Sequence, residues 1–128
     1  MTTRRFTIEA RPESVREARM VVRETLRYCG ITDTDLAELA TSELVSNAIE
    51  HGEEPVSVVV RCAGGMGRVE VHDASPDLPR RWQGGEGRAG TGLVIVDAFT
   101  PSWGVEPTPA GKAVWFQVAT GPGGSLGT

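Results

Sequence analysis

Glu43-Leu44-Val45-Ser46-Asn47-Ala48-Ile49-Glu50-His51 is the stretch on which the reading of this chain turns. It lies in a segment from about Thr32 to Gly52 that reads as one helix. Leu36, Leu39, Ala40, Leu44 and Ala48 recur there at helical spacing and predict an apolar face. Glu43, Asn47 and His51 are spaced four apart and form one stripe, which a helical wheel places inside that face. An acid, an amide and an imidazole on a buried face are costly unless something pairs with them. Protein neighbours can satisfy such groups, and so can a ligand.

Working outward, Thr32 followed by Asp35 resembles a capping box at the start of this helix. Val45 and Ile49 lie on its other side and predict a second packed surface. Upstream, Phe6-Thr7-Ile8-Glu9-Ala10 alternates like a strand. Pro12 then opens a helix whose stripe is Val15, Ala18, Val22, Leu26 and Cys29, with Gly30 as its stop.

Downstream, Val56, Val58 and Val60 alternate with Ser57, Val59 and Arg61, which predicts a strand. Gly64-Gly65-Met66-Gly67 reads as a turn, and Arg68 to Asp73 as the returning strand of a hairpin. Val69, Val71 and Asp73 share one face of that strand, so Asp73 ends an apolar row pointing inward. It could equally be an Asp capping the turn before Pro76.

Between Ala74 and Gly92 periodicity is lost in a run holding Gly84, Gly85, Gly87, Gly90 and Gly92 with Arg80, Arg81 and Arg88. It leads into the short apolar helix candidate Leu93 to Phe99. Such a loop can be a linker with solvated arginines, or it can present backbone N–H groups to phosphate. Trp103-Gly104-Val105 is a short strand, Pro107 to Gly111 a turn, and Lys112 to Val118 the last strand. Both strand tryptophans read as core or rim packing. Residues 120–128 read as a disordered tail, leaving one domain over 5–119.

The composition bounds the possibilities. Of 128 residues, 39% are hydrophobic and 23% charged, ordinary for a globular domain, and the net charge of −4 argues against nucleic-acid binding. Lysine is nearly absent and arginine dominates the cations. Cys29 and Cys62 form no metal-ligand spacing and are expected to be reduced and buried. No apolar run has transmembrane length and no leader is visible at Met1, so a cytoplasmic protein without membrane contact is expected.

The order of elements predicts an α/β two-layer sandwich: a mixed, mostly antiparallel sheet covered on one face by helices. Its stripe, inward Asp73 and Gly-rich loop would face one cavity, and each suits a magnesium-bound nucleoside triphosphate. The Asn47 carbonyl is a hard neutral ligand for Mg²⁺. Glu43 can accept a proton from an attacking hydroxyl. Asp73 can accept a hydrogen bond from adenine's amine where guanine would present an acceptor, which would select ATP over GTP.

Glu43 to Gly52 resembles the N box of the Bergerat-fold (GHKL) ATP-binding proteins. Asp73-Ala74-Ser75-Pro76-Asp77 is similar to their G1 box, although both of its usual glycines are replaced. Gly90-Thr91-Gly92-Leu93 resembles their G2 box. The small size, Trp103-Gly104-Val105 and Gly111 to Phe116 look most like the stand-alone anti-sigma-factor kinases of the RsbW/SpoIIAB type.

The resemblance implies a Bergerat fold and Mg-ATP binding. It also implies phosphorylation of a Ser or Thr on a STAS-domain anti-anti-sigma partner, sequestration of a sigma factor, and dimerisation as in many relatives. By position, Glu43 would be the general base, Asn47 the Mg²⁺ ligand, His51 a brace for the pocket, and Asp73 with Ser75 the adenine end. Gly90, Thr91, Gly92 and Leu93 would contact phosphate. On the last strand the family often has Thr beside adenine; Ala113 is read into that place, with Lys112 before it at the pocket.

Overall fold

The structure, a computed structural model, describes residues 1–77 and 102–119. Its elements are β1 (Thr2–Ile8), α1 (Glu13–Tyr28), α2 (Asp35–His51), β2 (Val56–Ala63), β3 (Met66–Asp73), β4 (Trp103–Thr108) and β5 (Gly111–Ala119). The strands form one sheet in the order β1-β2-β3-β5-β4, and every pairing is antiparallel. The two helices pack on each other and on one face of the sheet, giving the expected two-layer sandwich. No parallel pair occurs among the described residues. No helix among them is long and apolar enough to cross a membrane.

Local chemistry sets the element ends. α1 stops where Gly30 adopts φ 93°, a left-handed conformation that costs glycine little. There Ile31 N donates to Leu26 O at 2.9 Å and Gly30 N to Arg27 O at 3.0 Å, closing the last turn, while Ile31 is buried in the core. The β2–β3 hairpin turns on Gly64 and Gly65 alone, at φ 59° and 81°. Met66 and Gly67 belong to β3, so the turn is two residues shorter than the glycine run suggests. β1 begins four residues before Phe6 and ends at Ile8, because Thr2 to Ile8 pair with Val56 to Cys62. β4 runs through Pro107 to Thr108, and Gly111 N donates to Thr108 Oγ1 at 3.0 Å across the tight turn that follows.

The start of α2 differs from the sequence expectation. Its cap position is Thr34, whose hydroxyl donates to Glu38 Oε2 at 2.6 Å, so the Thr32–Asp35 box is not used. The covered arc of α2 is Ala37, Ala40, Thr41, Leu44, Val45, Asn47 and Ala48. Leu36 and Leu39 fall outside it and are 42% and 43% exposed. Small residues allow the close approach of α2 to the sheet and α1, whereas the two leucines at the margin face no core row among the described residues.

The core rows are Val56, Val58 and Val60 of β2, Val69 and Val71 of β3, and Val114, Phe116 and Val118 of β5, beneath Ala18, Val22, Leu26 and Leu44. Trp103 packs against this core, whereas Trp115 lies on the opposite face under the Arg68 guanidinium, 4.2 Å from its ring centroid. Cys29 is half-buried rather than buried. Neither cysteine forms a disulfide, and burial and then the adjacent Cys29 push the Cys62 thiol up to about 12, which makes Cys62 a poor nucleophile.

On the helix-free face, Glu70 is 6% exposed. It accepts from Arg61 Nε at 3.1 Å and Arg68 Nε at 2.9 Å, and His72 Nε2 lies 2.8 Å from its other oxygen. Burial alone would raise its pKa, but the bonds from His72, Arg61 and Arg68 outweigh it and hold the carboxyl below its ordinary 4.5. A carboxyl lowered on folding stabilises fully above its unfolded value and loses that contribution as pH falls through the folded one. Wild-type chain should therefore lose stability more steeply than Glu70→Gln between about pH 5 and pH 3 in urea titrations. Parallel curves for the two proteins would exclude this network as a source of acid lability.

Candidate functional site

Two apolar rows end in charge at the same place. β3 runs Val69, Val71, Asp73 and β5 runs Val118, Phe116, Val114, Lys112, and the register sets Asp73 directly opposite Lys112. Opposed residues of an antiparallel pair share a face, so both point to the helix side. Lys112 Nζ donates to Asp73 Oδ1 at 3.0 Å and to Ser75 O at 3.2 Å. Both side chains of the ion pair are 3% exposed. Ser75 N donates to the same Oδ1 at 2.8 Å, and Asp77 N to Ser75 Oγ at 3.3 Å. Asp73 thus does cap a turn, the plain alternative reading of its position, while also closing a buried ion pair.

The register corrects one assignment. Ala113 pairs with His72 on the far face, so a hydroxyl at 113 would not reach Asp73's side of the sheet. The residue beside Asp73 is Lys112, the only lysine in a chain with twelve arginines. A compact ammonium on a flexible stem fits a corner that a planar guanidinium would not.

The end of α2 is fastened to this corner. Glu53 O accepts from Ala74 N at 2.8 Å. A Cβ on Gly52 would lie 2.6 Å from Asp73 Cγ, so the carboxylate occupies the space that any other residue at 52 would take. A Cβ on Gly111 would collide with the Asp73 carbonyl oxygen. Gly52 has extended backbone at φ −93°, so space rather than conformation requires glycine there. These two contacts are invisible in the sequence, although each glycine directly adjoins a residue of interest.

Asn47 precedes Gly52 by five residues, about 7.5 Å along the helix axis. It is 7% exposed, and its Nδ2 has no hydrogen-bond partner among the described residues. A buried amide left this way costs free energy that a ligand can recover. Glu43, one turn further, is half-buried at the margin of the covered arc. Its carboxylate forms no ion pair or hydrogen bond among the described residues.

His51 departs from expectation. It is the last residue of α2, exposed, with Nε2 3.7 Å from Glu50 Oε1, and among the described residues it has no partner in the interlayer space. The helix stops there and the chain turns at Gly52, so the direction that buries Asn47 no longer faces the sheet. Gly90, Thr91, Gly92 and Leu93, like the expected tail, lie outside the described residues.

The residues that are placed fit a magnesium-bound nucleotide. Among the described residues no cluster of three or more His, Cys, Asp or Glu could hold a metal by itself. A cation here would be held by an amide oxygen together with phosphate and water, which is how Mg²⁺ binds. The arrangement sets a buried acid at a strand end below a helix that carries a buried amide whose Nδ2 is unsatisfied among the described residues.

The model of the histidine kinase-like ATPase domain matches residues 8–118, and the chain belongs to that family. Membership brings ATP binding and, in general terms, an ATP-dependent kinase or ATPase activity. Among curated proteins none matches the chain.

Proposed function

We propose that this protein is a regulatory serine/threonine kinase of the stand-alone anti-sigma type, using Mg-ATP to phosphorylate a STAS-domain anti-anti-sigma partner. The observation that carries the reading is the buried Asn47 amide, whose Nδ2 has no partner among the described residues and could donate to a phosphate oxygen, on the helix that ends, through Gly52, against Asp73. Asn47 would hold Mg²⁺ through its carbonyl oxygen, and Asp73 with Ser75 would form the base end. Gly90, Thr91, Gly92 and Leu93 would face the phosphates. When bound, Mg²⁺ neutralises phosphate charge. Glu43, one turn from Asn47, would take the proton from the attacking hydroxyl, and no group among the described residues competes for its carboxylate.

A second reading is a non-catalytic ATP-binding module that holds a sigma factor. The replaced glycines of the Asp73 turn and the occupancy of Oδ1 by Lys112 favour it, because they tighten the base end. Homodimerisation and a cytoplasmic location go with either reading.

Calorimetric titration with Mg-ATP tests the shared core, and saturable binding is expected. Transfer of labelled γ-phosphate to a STAS-domain partner then separates the two. Binding without transfer to any of a panel of such partners selects the module. No binding at all refutes both.

A further inference from the structure

We propose that Cys29 and Cys62 are a redox-active pair, which a hydroperoxide joins into a disulfide that fastens the end of α1 to β2. The inference is independent of the nucleotide-binding reading. Cys62 pairs with Gly67, at the far end of the sheet from the Asp73–Lys112 corner.

The fold brings together two sulfurs from residues 33 positions apart. Cys29 is the residue that caps α1, and its N donates to Thr25 O at 3.2 Å. The Cys62 thiol, on the helix side of β2, donates to the same carbonyl oxygen at 3.9 Å. The Cys29 side chain also hydrogen-bonds with the Cys62 thiol. Gly67 permits this approach. It stands opposite Cys62, and a Cβ there would lie 2.7 Å from Leu26 Cδ2 and 3.1 Å from Ile31 Cδ1. Bare backbone at that point lets the end of α1 settle on the strands.

The pair can be reached. Both cysteines line a cavity of about 270 Å³, together with Thr2, Tyr28 and the Gly64-Gly65 turn. A water molecule takes about 30 Å³ of liquid, so a small peroxide has room. Tyr28 at the cavity's edge is 81% exposed.

Exposure sets the order of events. Cys29 is half-buried, whereas Cys62 is 3% exposed. The Cys29 sulfur attacks one oxygen of hydrogen peroxide. An S–O bond forms as the O–O bond breaks, and the departing hydroxide takes the thiol proton and leaves as water. The Cys62 sulfur then attacks Cys29 Sγ. The S–S bond forms, the S–O bond breaks, and hydroxide leaves as water with the Cys62 proton. Two thiols give up two electrons, and the peroxide is reduced to two water molecules. Proximity supports the second step, because the resolving thiol already touches the sulfur it attacks. The burial that slows Cys62 as an attacking group also makes it a poor leaving group, so the finished bridge resists free thiols.

The test treats the full chain with hydrogen peroxide under native conditions, for wild type, Cys29→Ser and Cys62→Ala. It reads the thiol count, non-reducing electrophoresis and unreduced peptide maps. Wild type should form the Cys29–Cys62 bridge within one chain, released by dithiothreitol in urea. The bridge restricts the unfolded state, so the urea midpoint should rise by about 1 M over the reduced chain. Cys62→Ala lacks the resolving thiol and should trap dimedone at Cys29. Cys29→Ser should give neither bridge nor adduct. If Cys62→Ala does not fold, wild type and Cys29→Ser still decide. Wild type that keeps both thiols, links only between molecules or overoxidises Cys29 without a bridge overturns the pairing. A dimedone adduct on Cys62 in Cys29→Ser overturns the order of attack. A bridged chain no more stable than the reduced one overturns the fastening.

Discussion

Asp73→Ala should lower the unfolding free energy by about 3–5 kcal/mol, read as a fall in the urea midpoint at unchanged slope. The pair it breaks is 3% exposed on both sides, so solvent does little to compensate the ammonium left behind. Against a total stability of about 5–15 kcal/mol for a domain of this kind, the loss is a large fraction. The double variant Asp73→Ala/Lys112→Met should regain most of it, because replacing both members of a buried pair with apolar groups is often neutral. A cost for Asp73→Ala below about 1 kcal/mol would mean that the corner is open enough for water to take the carboxylate's place. The single variant should also lose nucleotide affinity, for which the folded fraction must first be measured.

Glu43→Gln has its largest effect on chemistry. It keeps the side chain's shape and is expected to bind Mg-ATP within about threefold of wild type. Phosphoryl transfer should fall by about 10²–10⁴-fold, the usual contribution of a positioned general base. Glu43 makes no ion pair or hydrogen bond among the described residues and is half-buried, so its substitution should barely move the urea midpoint. Normal transfer by Glu43→Gln would remove it from the base role and leave the proton to another group. Thus the two variants separate the parts of the site: one probes how it is held together, the other what it does.

Much of the fold was legible because burial imposes periodicity. Alternating valines in β2 and β3 and the 3.6-residue stripe of α1 announced which faces turn inward, and Gly30 and Gly64-Gly65 announced where the chain must bend. Asp73 was legible for the same reason, as a carboxylate that breaks an apolar row. The errors on α2 have one cause. A helix covered on two sides has apolar residues over most of its circumference, so the wheel did not show that Leu36 and Leu39 lie outside the covered arc or that Glu43 sits at its margin. For His51, spacing says which direction the side chain leaves the helix, and among the described residues only Glu50 stands beside it.

The sequence by itself determined the two layers, the inward acid and the polar stripe, since each follows from how side chains alternate along one element. Only the tertiary structure decided that Lys112 rather than Ala113 stands beside Asp73, and that Gly52 yields its space to the carboxylate. Those facts depend on the register between β3 and β5 and on where α2 ends over the sheet. They are relations between segments 39 and 21 residues apart, and no periodicity within one segment encodes them.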